Sequence, residues 1–406
     1  MSEKPATVRE YDVTTPEVLA DPTAWLHRVR EESPVAWLPR FGGYLLTRHA
    51  DVVSVLQDTR LDTANMMRAM EALTPEQREE LTPLREAVTL WVGHTNPTDH
   101  RRFQLLLKKY FTPRMVDRLR PRVREITHDL LDAVAGKGSM EVIRDLAYPL
   151  PANVIAEMLG MPVADRERLQ AWSRDVLIVF GQSGDLAALR RCQDSMMEFH
   201  DYLRGLAAQR RAEPREDVLS MFVAAQADGI VTEDEALANC VLLLFAGHET
   251  TANLIANGLV LLFQNPDVLA ALRADPEQMP MAVEEMLRLD GPAGAIQRKV
   301  VEPVEVGGHL LPAGAHVFVS LAAANRDPAV FPDPDRFDVS RGRSRHMAFG
   351  TGTYYCLGAS LARMEADECF RILLDRMPAL RPAYDRPDFV PAPPVSHRLA
   401  SLEVLF

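Results

Sequence analysis

The sequence predicts a mainly α fold with small β-sheets, organised as a single domain over residues 1–406. Three observations lead to this. Apolar residues recur three and four positions apart across most of the chain from Asp99 to Leu289. Short extended pieces with Gly and Pro lie outside that body. No internal repeat, low-complexity stretch or linker divides it.

Taken in order, Val35-Ala-Trp37 and Tyr44 to Arg48 flank Phe41-Gly-Gly43, which predicts a hairpin followed by a short helix over Ala50 to Leu56. The first β region is therefore about 34–48. Leu61 to Val92, Met-rich at Met66, Met67 and Met70 and carrying Pro75 and Pro83, reads as a partly helical surface excursion. The helix-rich body covers about 99–290 and 357–376, with Met115, Leu119, Val123, Ile126, Leu130 and Leu131 as one clear apolar stripe. Thr232-Glu-Asp-Glu235 forms a capping box, and the apolar run after it predicts a helix to about Phe263. Beyond Arg298, Pro303 to Gly308 and His316 to Val319 predict a second small sheet, within about 298–320.

Composition excludes several classes. Hydrophobic residues are 47% and charged residues 25%, as in ordinary globular proteins. The 57 acidic and 45 basic side chains leave a net charge of −12, which argues against a nucleic-acid partner. No run reaches the roughly 18 apolar residues of a membrane span. The N-terminus lacks the apolar core of a signal peptide, so a cytoplasmic location is expected. A monomer is also expected. None of Cys192, Cys240, Cys356 and Cys369 forms a CxxC pair, which fits a reducing compartment and argues against structural zinc.

One cysteine stands apart. Phe349-Gly-Thr-Gly-Thr-Tyr-Tyr-Cys-Leu-Gly358 runs directly into the helix-forming Ala359-Ser-Leu-Ala-Arg-Met-Glu365. Gly350 and Gly352 open backbone conformations closed to residues with a β-carbon, and Cys356 falls just before a helix N-terminus, where partial positive charge favours thiolate. A lone cysteine in such a turn is most often inert, but the whole pattern is far more specific. It resembles the haem-binding signature of the cytochrome P450 superfamily, in its soluble bacterial form. The resemblance implies the cytochrome P450 fold, one haem b (iron protoporphyrin IX), Cys356 as axial ligand, and Phe349, Gly350, Tyr354 and Gly358 against the cofactor. Tyr354 stands where the family usually has His or Arg, so it brings one hydrogen bond and no charge to a haem propionate.

The long helix carries Ala246-Gly-His-Glu-Thr-Thr251, which matches the family's oxygen-binding motif. Through that match Ala246 and Gly247 would lie against the haem, beside a local widening of the helix. Glu249 and Thr250 would deliver the protons that make water the leaving group when O–O breaks. His248 has no role in the pattern and is expected to pack.

Glu285 and Arg288 share a helix face. The resemblance joins them to Arg336, in Phe331-Pro-Asp-Pro-Asp-Arg-Phe337, as a buried network holding the cysteine loop. In Asn96-Pro-Thr-Asp-His-Arg-Arg-Phe-Gln104, His100 fits a propionate position and Gln104 replaces the family's arginine. Arg298 becomes the leading propionate cation, with His346 a further candidate. Family position places Leu61 to Val92, Val176 to Gln182, Leu243, Leu244, Ala293, Ile296 and Val395 around the substrate.

The implied reaction is hydroxylation, or a related oxidation, of an organic small molecule, in secondary metabolism or catabolism, by O2 and two electrons. NAD(P)H would supply these through a ferredoxin or flavodoxin type donor, drawn to a basic cluster at Arg101, Arg102, Lys108, Lys109, Arg114, Arg118 and Arg120. A peroxide-driven peroxygenase is the alternative within catalysis, and the intact acid and alcohol pair argues against it. From another class, a non-catalytic haem carrier or gas sensor would be expected to show an output domain, which this sequence does not.

Overall fold

Helix starts follow their caps in the computed structural model, which describes residues 8–63, 70, 73–180, 185–342, 344–392 and 396–406. Thr232 and Glu235 exchange the two bonds of the capping box, at 2.7 and 3.1 Å, and the helix Glu233–Gln264 follows. Asn96 caps Pro97–Leu107 through the N–H groups of Thr98 and Asp99, with Pro97 at the first helical position.

The chain divides into two compact units: one of residues 1–64, 123–147 and 250–406, the other of 65–122 and 148–249. In the first, the predicted hairpin forms between Val35–Leu38 and Gly43–Leu46, turning through Pro39–Phe41. His316–Ser320 then pairs parallel with Gly43–Leu46 and antiparallel with Ala295–Val300, which pairs in turn with Leu61–Thr63. Of the two sheets expected from sequence, the hairpin and His316–Ser320 thus belong to one five-stranded sheet, while Val304–Val306 pairs separately with His309–Leu311. Its two faces carry separate apolar clusters, Trp37, Tyr44, Val317 and Val319 on one side and Ala36, Leu38, Leu45 and Phe318 on the other. Burial on both faces explains runs such as Tyr44-Leu-Leu and Val317-Phe-Val that are apolar without alternation.

Smaller ladders went unread in the sequence: Asp388–Ala392 with Ser396–Ser401, and Glu403–Leu405 between Ser139–Glu141 and Arg381–Pro382. Also in this unit, Met279–Asp290 and Ala359–Arg376 clasp the C-terminal half of the long helix. A β-carbon on Gly258 would lie 2.7 Å from Met286 Sδ and 2.9 Å from Phe370 Cζ, so glycine is what lets the three helices close up.

The second unit is helical, with Pro149–Leu159, Arg166–Val176, Leu186–Ala212 and Val218–Ala227 as its main elements. Its segment 73–92 contains the helices Pro75–Glu80 and Thr82–Thr89. It is more than a surface excursion, because Leu81, Leu84 and Trp91 are fully buried. Among the described residues no single helix is long and apolar enough to cross a membrane.

Candidate active site

In the first unit the cysteine loop is closed by its own backbone. Cys356 N–H donates to the Phe349 carbonyl at 3.0 Å, and Gly350 N–H to that of Met347 at 2.8 Å. Gly350 and Gly352 take φ of +66° and +77°, and a β-carbon on Gly352 would also meet the Leu56 carbonyl at 2.9 Å. Gly358 then caps the helix Ala359–Arg376.

Cys356 is exposed, unlike the other three cysteines. Burial pushes the Cys192, Cys240 and Cys369 thiols up and keeps them inert. The Cys356 thiol is also raised, contrary to the expectation from its helix terminus. Desolvation by the surrounding loop outweighs the Gly358 and Ala359 N–H groups and the charge of Arg363. A side chain walled by protein yet open on one side fits a ligand to a bound metal, whose charge would deprotonate it outright.

Arg298, on the strand Ala295–Val300, is buried. Its Nη1 donates to the Gln297 carbonyl at 2.9 Å and its guanidinium stands 5.3 Å from the centre of the Tyr354 ring. Burial lowers its pKa, and among the described residues no carboxylate forms an ion pair with it. A buried cation with that set of contacts fits an anionic group such as a haem propionate. His346 does not have this freedom. Its Nε2 bonds Glu284 at 2.8 Å and its Nδ1 accepts the Ala348 N–H at 3.2 Å, so the structure gives it a different partner from the expected propionate.

The helix Glu233–Gln264 is α throughout, without the expected widening. Ala246 and Thr250, one turn apart, are exposed amid an otherwise largely buried stretch, while Gly247 and Glu249 are half-buried. A β-carbon on Gly247 would come within 2.8 Å of Ile155, so that face of the turn packs tightly. His248 packs as expected: Nδ1 bonds the Leu244 carbonyl at 2.7 Å and Nε2 bonds Tyr148 Oη at 3.0 Å. Burial lowers its pKa to about 4, so it is neutral at physiological pH.

The supporting ion pair forms, with a different third member. Arg288 grips both Glu285 oxygens at 2.8 and 2.9 Å, each side chain fully buried. Arg336 is exposed and contributes only its carbonyl, which accepts from Arg288 at 3.0 Å. The second arginine at Glu285 is Arg341, at 3.4 Å. The chain between Asp333 (φ +48°) and Gly342 (φ +66°) turns so that Arg341, five residues later, points inward.

In the second unit His100 is buried, with Nδ1 on the Val92 carbonyl at 2.9 Å, and Gln104 lies half-buried one turn on. Leu243 and Leu244 are buried. Leu244 lines a cavity with Tyr148, Leu169 and His248, on the opposite side of the helix from Ala246. Ala293 and Ile296 are half-buried in the first unit, where Ile296 Cδ1 packs over Gly350. Val395 and parts of the segments 61–92 and 176–182 lie outside the described residues. Sequence reasoning named His346 but missed Glu284 and Arg363, which join it in one cluster.

The cytochrome P450 family model matches residues 92–378. Cytochrome P450 CYP107DY1 of Priestia megaterium is 36% identical, covering 97% of this chain and 98% of its own. Cytochrome P450 monooxygenase PikC of Streptomyces venezuelae is 41% identical over 89% of this chain and 85% of its own. Among solved structures, P450BioI in complex with a hexadec-9Z-enoic acid ligated acyl carrier protein aligns with a TM-score of 0.89 at 34% identity, covering 97% of this chain and 100% of that one. The chain belongs to the cytochrome P450 family. It is a P450 monooxygenase, using haem, O2 and electrons from a redox partner to oxidise a small organic molecule, and the relatives favour this over a peroxide-driven or non-catalytic haem protein.

Proposed function

We propose that Cys356 is the thiolate ligand of a haem b and that the enzyme oxidises an organic secondary metabolite in the cytoplasm, as a monomer whose two units form one P450 domain. The observation that carries the ligand assignment is the closed loop that leaves Cys356, alone among four cysteines, exposed at a helix N-terminus. When bound, the haem supplies dioxygen activation, and thiolate ligation favours O–O cleavage.

The remaining chemistry belongs to side chains. Arg298 would hold a propionate by charge and Tyr354 Oη by one hydrogen bond. Thr250 Oγ1 would donate a proton toward the oxygen side, and Glu249, after taking a proton from solvent, would pass it on as a carboxylic acid. Neutral His248, tied to Tyr148 and Leu244, holds the backbone of that turn in place. Ala293 and Ile296 would shape the apolar substrate side. Electrons come from NAD(P)H through a ferredoxin or flavodoxin type protein, which an exposed basic face of Arg101, Lys108, Lys109, Arg114 and Arg118 would attract.

The test is the reduced carbon monoxide spectrum of Cys356→Ser, expected to lose the thiolate-type Soret band. Retention of that band would overturn the ligand assignment. Turnover of a candidate substrate with NAD(P)H and a reductase system, and not with peroxide alone, is the matching result for the reaction.

A further inference from the structure

The Glu284, His346 and Arg363 cluster has no part in proton delivery or propionate binding, yet it converges on the cysteine loop. Arg363 Nε and Nη2 bond the two Glu284 oxygens at 2.6 and 3.1 Å, and Glu284 is also held by His346. Burial opposes the Glu284 charge, but the hydrogen bonds from His346 and Arg363 bring its pKa down to about 2. The guanidinium thus faces an anchor that is ionised at physiological pH. From there it reaches back to the helix start. Its carbon lies 4.4 Å from the centre of the Phe349 ring, and Nη1 approaches the Tyr355 hydroxyl and the Ala359 carbonyl, each at 3.4 Å.

Phe349 supplies the carbonyl that holds Cys356 N–H, Tyr355 precedes the cysteine, and the Cys356 carbonyl accepts the Ala359 N–H at 3.4 Å. Three contacts therefore fix a positive charge beside the sulfur-bearing loop. The placement is unfavourable for the helix itself, since a cation at an N-terminus opposes the macrodipole. It is favourable for a thiolate carried by that loop.

We infer that Arg363, clamped by Glu284 and His346, is a positioning residue that tunes the electron-donating power of the Cys356 thiolate and so the reduction potential of the bound haem. The step it affects is the one-electron reduction of ferric to ferrous iron by the redox partner. A fixed cation draws charge from the sulfur and favours the added electron; the Glu284 carboxylate, one position further out, limits that pull.

This rests on Cys356 carrying the iron, and the experiment separates the two. Spectroelectrochemical potentials are measured on the haem-loaded protein and on Arg363→Gln, Arg363→Lys and Glu284→Gln. Arg363→Gln should shift the ferric/ferrous equilibrium about tenfold toward ferric, equal to about 59 mV for one electron. Glu284→Gln should shift it in the opposite direction, and Arg363→Lys should stay close to the parent. Opposite signs are the mark of charge, because a loosened loop would move both variants the same way. Same-sign shifts, or potentials indifferent to both substitutions, overturn the inference. If Arg363→Gln does not hold haem, the sign for Glu284→Gln decides. A parent protein without a thiolate-type carbon monoxide band would instead overturn the ligand assignment.

Discussion

Replacing Arg288 by Met removes a guanidinium that makes five hydrogen bonds, two to Glu285 and one each to the carbonyls of Asn325, Pro334 and Arg336. Glu285 would keep the Asp338 N–H at 3.1 Å and Arg341 at 3.4 Å, and would otherwise be a fully buried carboxylate without its main partner. Breaking a buried pair from one side costs about 3–5 kcal/mol. For a cooperative unit of this size each kcal/mol lowers Tm by about 2 °C, giving a fall of about 6–10 °C. Arg336→Ala keeps the carbonyl that Arg288 uses and removes an exposed side chain, so its cost should stay within about 0.5 kcal/mol. Arg341→Ala should fall between them. Thermal unfolding of the three variants, with haem content recorded for each, is the assay. A Tm for Arg336→Ala as low as that for Arg288→Met would refute the assignment of Arg341 as the inward arginine.

Thr250→Ala should bind substrate and consume NAD(P)H while releasing more peroxide per product; an unchanged product-to-reductant ratio would remove Thr250 from proton delivery. Lys108→Glu combined with Lys109→Glu should slow reduction by a ferredoxin without altering substrate affinity. The difference should shrink as salt shortens the Debye length from about 10 Å at 0.1 M to about 3 Å at 1 M, and stopped-flow rates indifferent to both salt and charge would exclude that face. The depressed pKa of Glu284 carries a sign as well: its contribution to stability is complete above its ordinary value near 4.5 and is lost as pH falls toward about 2. Circular dichroism should therefore show a steeper loss of stability across that window in the parent than in Glu284→Gln, and equal slopes would contradict it.

Features legible in the sequence are those whose partners are close along the chain. The Thr232 capping box, the Phe349 to Gly358 loop and the Glu285–Arg288 pair all span ten residues or fewer. Pairing of Gly43–Leu46 with His316–Ser320 joins segments some 270 residues apart, and local patterning carries no information on which extended pieces share a sheet. Arg336 and Arg341 differ only in which side chain a backbone turn aims inward, and the positive φ at Asp333 that helps to decide it has no glycine to announce it. Glu284 resembles any exposed acid until the cysteine-loop helix is placed beside it, bringing Arg363. In each case long-range geometry, not residue type, supplies the missing term.

Gly258 has a consequence for how such an enzyme can diversify. Because Met286 and Phe370 fill the space a side chain would need, the long helix cannot slide or roll on the helix that begins at the cysteine loop. Thr250 lies about two turns before that glycine, on the same rigid rod. The contact acts as a datum from which the spacing between Thr250 and the cysteine-loop helix is measured, and any side chain added there would shift that spacing. Adaptation to new substrates can proceed freely only in segments that do not bear on this datum.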